Sequence, residues 1–180
     1  SPTEFDAGGL RSGQTAVNFD AQRDIDLGIG ETSFAFGGEW RNENYKIVPG
    51  ETASWVAGPF FFTNGAAPGA QVFPGFQPST RVDASRDSFA AYAELDTDLS
   101  DMFNVQIAGR YEHFSDFGDT LNGKIAARFE PVEGLAFRGA ASTGFRAPGM
   151  AQQFFSTTST NNVPGVGLIE IGTFPVNSPI

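Results

Sequence analysis

Ser88-Phe-Ala-Ala-Tyr-Ala-Glu-Leu-Asp-Thr-Asp98 and, after Leu99–Met102, Phe103-Asn-Val-Gln-Ile-Ala-Gly-Arg-Tyr111 decide the fold class. In the first run Phe89, Ala91, Ala93, Leu95 and Thr97 alternate with Tyr92, Glu94, Asp96 and Asp98. In the second, Phe103, Val105, Ile107, Gly109 and Tyr111 alternate with Asn104, Gln106, Arg110 and Glu112. Successive side chains of an extended chain point to opposite faces, so a period of two marks a strand with one apolar and one polar face. Helical spacing fits neither run. The pattern continues outward in both directions. Downstream, Leu121, Ile125, Ala127 and Phe129 oppose Asn122, Lys124, Arg128 and Glu130; Leu135, Phe137, Ala141 and Phe145 then oppose Arg138, Ser142 and Arg146. Upstream, Phe34, Phe36, Gly38 and Trp40 oppose Ser33, Ala35, Gly37, Glu39, Arg41 and Glu43. Nearest the start, Val17, Phe19, Ile25, Leu27 and Ile29 oppose Asn18, Asp20, Gln22, Asp24 and Asp26. Strands are expected at about Gln14–Leu27, Thr32–Lys46, Asp87–Asp98, Phe103–Ser115, Thr120–Glu130 and Leu135–Ala147.

Most of these runs last about a dozen residues, twice the usual ~5–6 of soluble strands. At ~3.3 Å per residue and a tilt of ~45°, a dozen residues rise about 28 Å, close to the thickness of a bilayer's hydrocarbon layer. The polar faces carry too many charges for the core of a sandwich. Turn lengths add a parity argument. Short connections fall near Gly28–Glu31, Leu99–Met102 and Pro131–Gly134; longer ones fall at Lys46–Arg86, Ser115–Asp119 and from Ala147 onward. Tight turns at one end and long loops at the other mark an outer-membrane barrel. The expected fold is all-β: an antiparallel up-and-down meander of about six long strands, part of a transmembrane β-barrel. A long outer loop spans 46–86 and an outer loop or tail spans 148–180.

Composition agrees and excludes several functions. The 180 residues carry 11 Lys and Arg against 21 Asp and Glu, a net charge of −10. Nucleic-acid surfaces need clustered cations, so no nucleic-acid partner is expected. Cysteine is absent and His113 is the single histidine, which removes disulfide scaffolds, thiol nucleophiles and multi-His metal sites. No catalytic, cofactor-binding or metal-binding residue is assigned, and an enzyme is not expected. No apolar run reaches the ~18 residues of a membrane helix. Ser1 is not followed by a basic stretch and apolar core, so no secretory signal is read there.

Phe137-Arg-Gly-Ala-Ala-Ser-Thr-Gly-Phe-Arg-Ala-Pro148 resembles a barrel motif of the TonB-dependent outer-membrane receptors. Arg86-Asp-Ser-Phe-Ala-Ala-Tyr-Ala-Glu-Leu95, Ala108-Gly-Arg-Tyr-Glu112 and Phe36-Gly-Gly-Glu-Trp-Arg-Asn-Glu43 are similar to further strands of that family, and the resemblance covers roughly residues 28–153. It implies a barrel of about 22 strands with an N-terminal plug, in the bacterial outer membrane. Such a receptor imports a scarce nutrient, siderophore-iron or an oligosaccharide, on energy passed by TonB. Neither plug nor TonB box is visible, and six strands make about a quarter of that barrel. The chain is therefore expected to be a partial barrel. Its partners are outer-membrane lipid, the rest of the barrel, the plug, TonB through the missing N-terminal part, and the nutrient ligand.

Two residue groups are singled out. Trp55, Phe60, Phe61, Phe62, Phe73 and Phe76 give the long loop an apolar, aromatic surface with few charges, and are read as ligand-facing against the plainer alternative of loop packing. Glu39, Arg41, Glu94, Asp96, Arg110, Glu112, Lys124, Arg128, Arg138 and Arg146 are read as a lumen charge ladder whose opposite signs pair across strands; a carboxylate site at Glu94, Asp96 and Asp98 for acid–base work or calcium is the alternative. His113 is read as a rim histidine and Arg146 as an anchor for neighbouring loops or plug. Two other architectures compete. A soluble β-sandwich binding module would pack the apolar faces inward. A complete small outer-membrane barrel with a structural or adhesive role would need Glu51–Gly65 and Gly167–Phe174 as full strands.

Overall fold

A computed structural model describes residues 3–70 and 73–175. Strands β1 (Gly8–Asp26), β2 (Glu31–Pro49), β3 (Val82–Ser100), β4 (Phe103–Phe114), β5 (Gly118–Val132) and β6 (Leu135–Ser142) form one sheet in sequence order. This is the expected meander. The chain divides into two units: residues 1–13, 43–85 and 148–180 make the first, and 14–42 with 86–147 the second.

In the second unit the antiparallel register sets the two faces. Leu95 stands opposite Ile107, and Ile107 opposite Ile125; Phe103 faces Phe129, and Phe129 faces Phe137. All belong to the apolar face, and this face is uncovered: Leu121 is 78% exposed and Ile107 52%. Folding in water cannot favour such a surface, since each large apolar side chain left wet forgoes about 1.5–3 kcal/mol. It suits hydrocarbon instead.

One glycine is required by packing on the polar face. The Tyr92 hydroxyl donates to Asp20, and Gly37 lies beneath that reach. A Cβ on Gly37 would stand 2.6 Å from Tyr92 Cε1 and 2.5 Å from the Phe19 carbonyl oxygen. Gly37→Ala is therefore expected to cost about 1–3 kcal/mol through overpacking. Tyr92→Ala in the same chain should recover part of that loss, and denaturant unfolding in lipid vesicles measures both. An unchanged unfolding midpoint in the single variant would remove the close contact.

Strand ends depart from expectation for identifiable reasons. β1 starts at Gly8 rather than Gln14, because a ladder needs only backbone donors and acceptors and continues through Gly-Gly-Leu-Arg-Ser-Gly without side-chain alternation. β2 runs to Pro49 and β3 starts at Val82, so the long link is residues 50–81 rather than 46–86. The β4–β5 connection, expected among the longer ones, is Ser115–Phe117, closed by Gly118 at φ 89°. Turn lengths are thus less cleanly sorted by end than the sequence suggests. β6 ends at Ser142 rather than Ala147. Thr143 still donates to the Gly123 carbonyl at 2.9 Å, but the Phe145 ring packs 5.6 Å from Phe117 and 6.2 Å from Phe114, off the apolar face to which alternation assigned it.

The first unit holds the buried apolar cluster of Tyr45, Ile47, Phe76 and Met150, with Val82, Ala84, Phe154 and Phe155 packed against it. Helices α1 (Thr52–Trp55) and α2 (Phe60–Asn64) occupy the stretch that the small-barrel reading needs as a strand. After α3 (Met150–Phe154), β7 (Thr157–Val163) and β8 (Gly167–Thr173) pair antiparallel as a separate two-stranded sheet. β8 falls in the stretch Gly167–Phe174 that the small-barrel reading needs as a full strand, and is seven residues long. β7 lies within the expected loop or tail of 148–180, where Thr-Thr-Ser-Thr-Asn-Asn carries no apolar alternation to mark a strand. Residues 71–72 of the expected loop and 176–180 of the expected tail lie outside the described residues.

Candidate functional site

The long link is a folded loop built around Ser54. This residue is fully buried, its hydroxyl donates to the Glu51 carbonyl at 2.6 Å, and its own carbonyl accepts from Ala70 at 2.8 Å and Gly75 at 2.9 Å. Glycines allow that approach. At Gly69, in the left-handed region at φ 67°, a Cβ would stand 2.2 Å from the Ser54 carbonyl oxygen; at Gly75 it would stand 2.0 Å from Ser54 Oγ. The base is tied to the start of the chain, since Glu51 N–H donates to the Asp6 carbonyl and Phe76 N–H to that of Ala7. Six aromatic residues were expected to face a ligand, and the fold divides them. Phe76 is buried in the apolar cluster, and Phe73 meets it edge-on at 5.6 Å while remaining exposed. Trp55 is half-buried, its indole N–H 3.4 Å from the Gly50 carbonyl. Phe60, Phe61 and Phe62 lie on α2, with Phe60 61% and Phe62 86% exposed; Gly65, at φ 64°, closes that helix.

Sequence reasoning missed the partners that hold this loop: Tyr45, Ile47, Met150 and Ser54. A signal was present. The positions that carry Glu39, Arg41 and Glu43 continue as Tyr45 and Ile47, so the polar face turns apolar at the link end of β2. Val82 and Ala84 do the same at the start of β3.

The polar face of the second unit departs from a cross-strand ladder. Ion pairs run mainly along strands, at i and i+2: Arg41 with Glu39, Arg110 with Glu112 at 2.9 Å and Arg128 with Glu130. Arg110 also lies 3.6 Å from Glu39. The register gives the reason, because Arg110 stands opposite Tyr92 and Asn122 while Arg128 stands opposite Asn104 and Arg138. No acid occupies those cross-strand positions. The carboxylates proposed for acid–base work accept from amides instead. Asn104 donates to Asp96 at 2.6 Å and to Asp98 at 2.9 Å, and Gln106 donates to Glu94 at 2.6 Å. Arg146 is exposed on the irregular stretch after β6.

Near the β4–β5 turn lies a cluster the sequence did not announce. Arg86 is buried, 5.7 Å from the ring centroids of Phe114 and Phe117 and 3.5 Å from the Asp116 carboxylate. Its signal was Phe114, which pairs with Ser88 on the polar face and so breaks the alternation. His113 lies at the end of β4, its Nδ1 2.6 Å from Asp119 Oδ1, which also accepts from the Tyr111 hydroxyl at 2.8 Å.

Long antiparallel strands with an uncovered apolar face and a charged opposite face define the wall of a membrane-spanning β-barrel. The model of the TonB dependent receptor-like β-barrel family matches residues 2–175, and the chain belongs to that family. No curated protein matches it. Among solved structures it is similar to the ferric enterobactin receptor PfeA in complex with BCV-L6, with a TM-score of 0.58 at 16% identity, over 79% of this chain and 19% of that one. That likeness is one of fold. The chain spans about a fifth of that receptor's length.

Proposed function

We propose that the chain forms part of the wall and outer mouth of a bacterial outer-membrane receptor that imports a scarce nutrient. Family membership supports receptor over enzyme. In this reading the apolar face meets outer-membrane lipid and the polar face lines a wet lumen shared with the rest of the barrel and a plug. TonB acts through a part of the receptor that this chain does not contain. The observation that carries a ligand-binding role is the presentation of Phe60, Phe61 and Phe62 on a loop pinned at its base. Exposed aromatic rings on a pre-ordered support bind flat or ring-shaped apolar surfaces at low entropic cost. Charge favours a neutral, amphipathic ligand. Lys46 is engaged by Asp83 at 2.8 Å, and the link 50–81 itself carries a single cation, Arg81, against Glu51. An anionic chelate selects for available Arg and Lys. An oligosaccharide is therefore the first choice and a ferric siderophore a close second, the latter being the class of ligand named for the structural neighbour.

The test is Phe60→Ala with Phe62→Ala in the whole receptor, because these side chains are exposed and their loss should spare folding. Binding of a malto-oligosaccharide and of a ferric catecholate chelate is measured by calorimetry alongside folded yield. Weakening of one of them by tenfold or more at unchanged yield is expected. Unchanged affinity for a ligand that the parent receptor binds would end the role of these rings.

A further inference from the structure

The register of β4, β5 and β6 gathers three cations of the expected charge ladder, Lys124, Arg128 and Arg138, around a hollow on the polar face. Three adjacent rows cross the strands: Asn104–Arg128–Arg138, Gln106–Ala126–Ala140 and Ala108–Lys124–Ser142. The middle row ends in two methyl groups, so the long cations of the outer rows stand over a small-residue floor. The resulting depression has a volume of about 470 Å³. Lys124 and Arg128 are separated by about 13 Å of extended backbone, a gap that two side chains of ~6 Å each can close over a bound group.

Arg128 and Arg138 stand directly opposite, and like charges in that relation destabilise a sheet. Nearby acids relieve this only partly. Glu130 engages Arg128. Asp96 lines the hollow but accepts from Asn104, and Lys124 donates to the neutral Gln106 at 2.6 Å. Arg138 has no hydrogen bond or ion pair among the described residues. Three cations against one lining carboxylate, around a floor that leaves room, fit an anion. Guanidinium groups bind carboxylate and phosphate in planar, two-point geometry.

We propose that the Lys124–Arg128–Arg138 hollow is a binding site for a carboxylate or phosphate group on the polar side of the sheet. The group belongs to a free anion passing the wall or to an acidic side chain of another part of the receptor. Arg138 is the residue on which occupancy depends most, since it alone of the three lacks a partner.

The experiment uses the whole receptor, purified in detergent, with Arg138→Ala and Arg138→Lys. Thermal unfolding is followed in inorganic phosphate and in chloride at equal ionic strength. If a free anion binds, phosphate raises the midpoint of the parent receptor by several degrees over chloride; Arg138→Ala loses the increment and Arg138→Lys keeps part of it. If an acidic side chain binds, phosphate and chloride give the same midpoint in the parent, and Arg138→Ala lowers it where Arg138→Lys does not. Either result supports the site. Equal midpoints for parent and Arg138→Ala in both salts would overturn it, as would equal losses in Arg138→Ala and Arg138→Lys.

Discussion

Ile107→Arg is expected to destabilise the receptor by about 2–4 kcal/mol when it folds into lipid vesicles, the cost of an arginine near the bilayer midplane on a lipid-facing strand. Ile107 lies midway between Phe103 and Tyr111 on β4, with Leu95 and Ile125 beside it, and is half exposed on the uncovered face. Ala93→Arg, on the same face of β3, should behave alike. Gln106→Arg places the same charge one residue away on the polar face. An arginine there can still donate to Glu94 but cannot accept from Lys124, a loss of about 0.5–1.5 kcal/mol, with no charge driven into hydrocarbon. A larger cost at 106 than at 107 would mean that the faces are reversed, and equal costs that neither face alone meets lipid.

Gly75→Val is expected to collapse the long loop of residues 50–81 while leaving the sheet folded. The new Cβ would stand 2.0 Å from Ser54 Oγ and 3.1 Å from Ala7 Cα, and Ser54, fully buried and bonded to Glu51, has no room to retreat. Overpacking of this kind costs about 1–3 kcal/mol, and it falls on the Ser54 carbonyl's bonds to Ala70 and Gly75, which close the loop on itself. Gly58→Val is the control, because nothing lies within 4 Å of a Cβ there. Limited proteolysis reads the difference: cleavage between residues 50 and 81 should rise in Gly75→Val and stay at the parental rate in Gly58→Val. Ligand binding that survives a cleavable loop would detach the proposed function from the Ser54 packing.

The six-stranded sheet was legible because its constraint is local. One apolar and one polar face require a period of two, and Phe89–Thr97 or Phe103–Tyr111 display it without knowledge of any neighbour. The link ends were harder. Tyr45, Ile47, Val82 and Ala84 follow the same alternation with the polarity inverted, which reads as a strand ending until Phe76 and Met150 are placed against them. β7 was invisible for a related reason: its Thr, Ser and Asn side chains need no burial, and its order comes from backbone bonds to β8. Of the loop aromatics, side-chain chemistry alone could not divide buried Phe76 from exposed Phe62, since both are equally apolar.

The sequence by itself determined the fold class, the existence and faces of the long strands, the absence of thiol chemistry and the likeness to TonB-dependent receptors. The first three follow from side-chain periodicity and composition, which act over a few residues; the likeness rests on motifs such as Phe137–Pro148. Only the tertiary structure decided which cations meet which acids. Arg128 lies ten residues before Arg138 in the chain, and nothing in that spacing tells that the register sets them face to face while Glu130 on the same strand takes the pairing. Register depends on turn geometry and on every rung at once, and the Ser54 hub depends on segments brought together from residues 6–7, 50–56 and 69–76. Contacts of that range are a property of the folded chain.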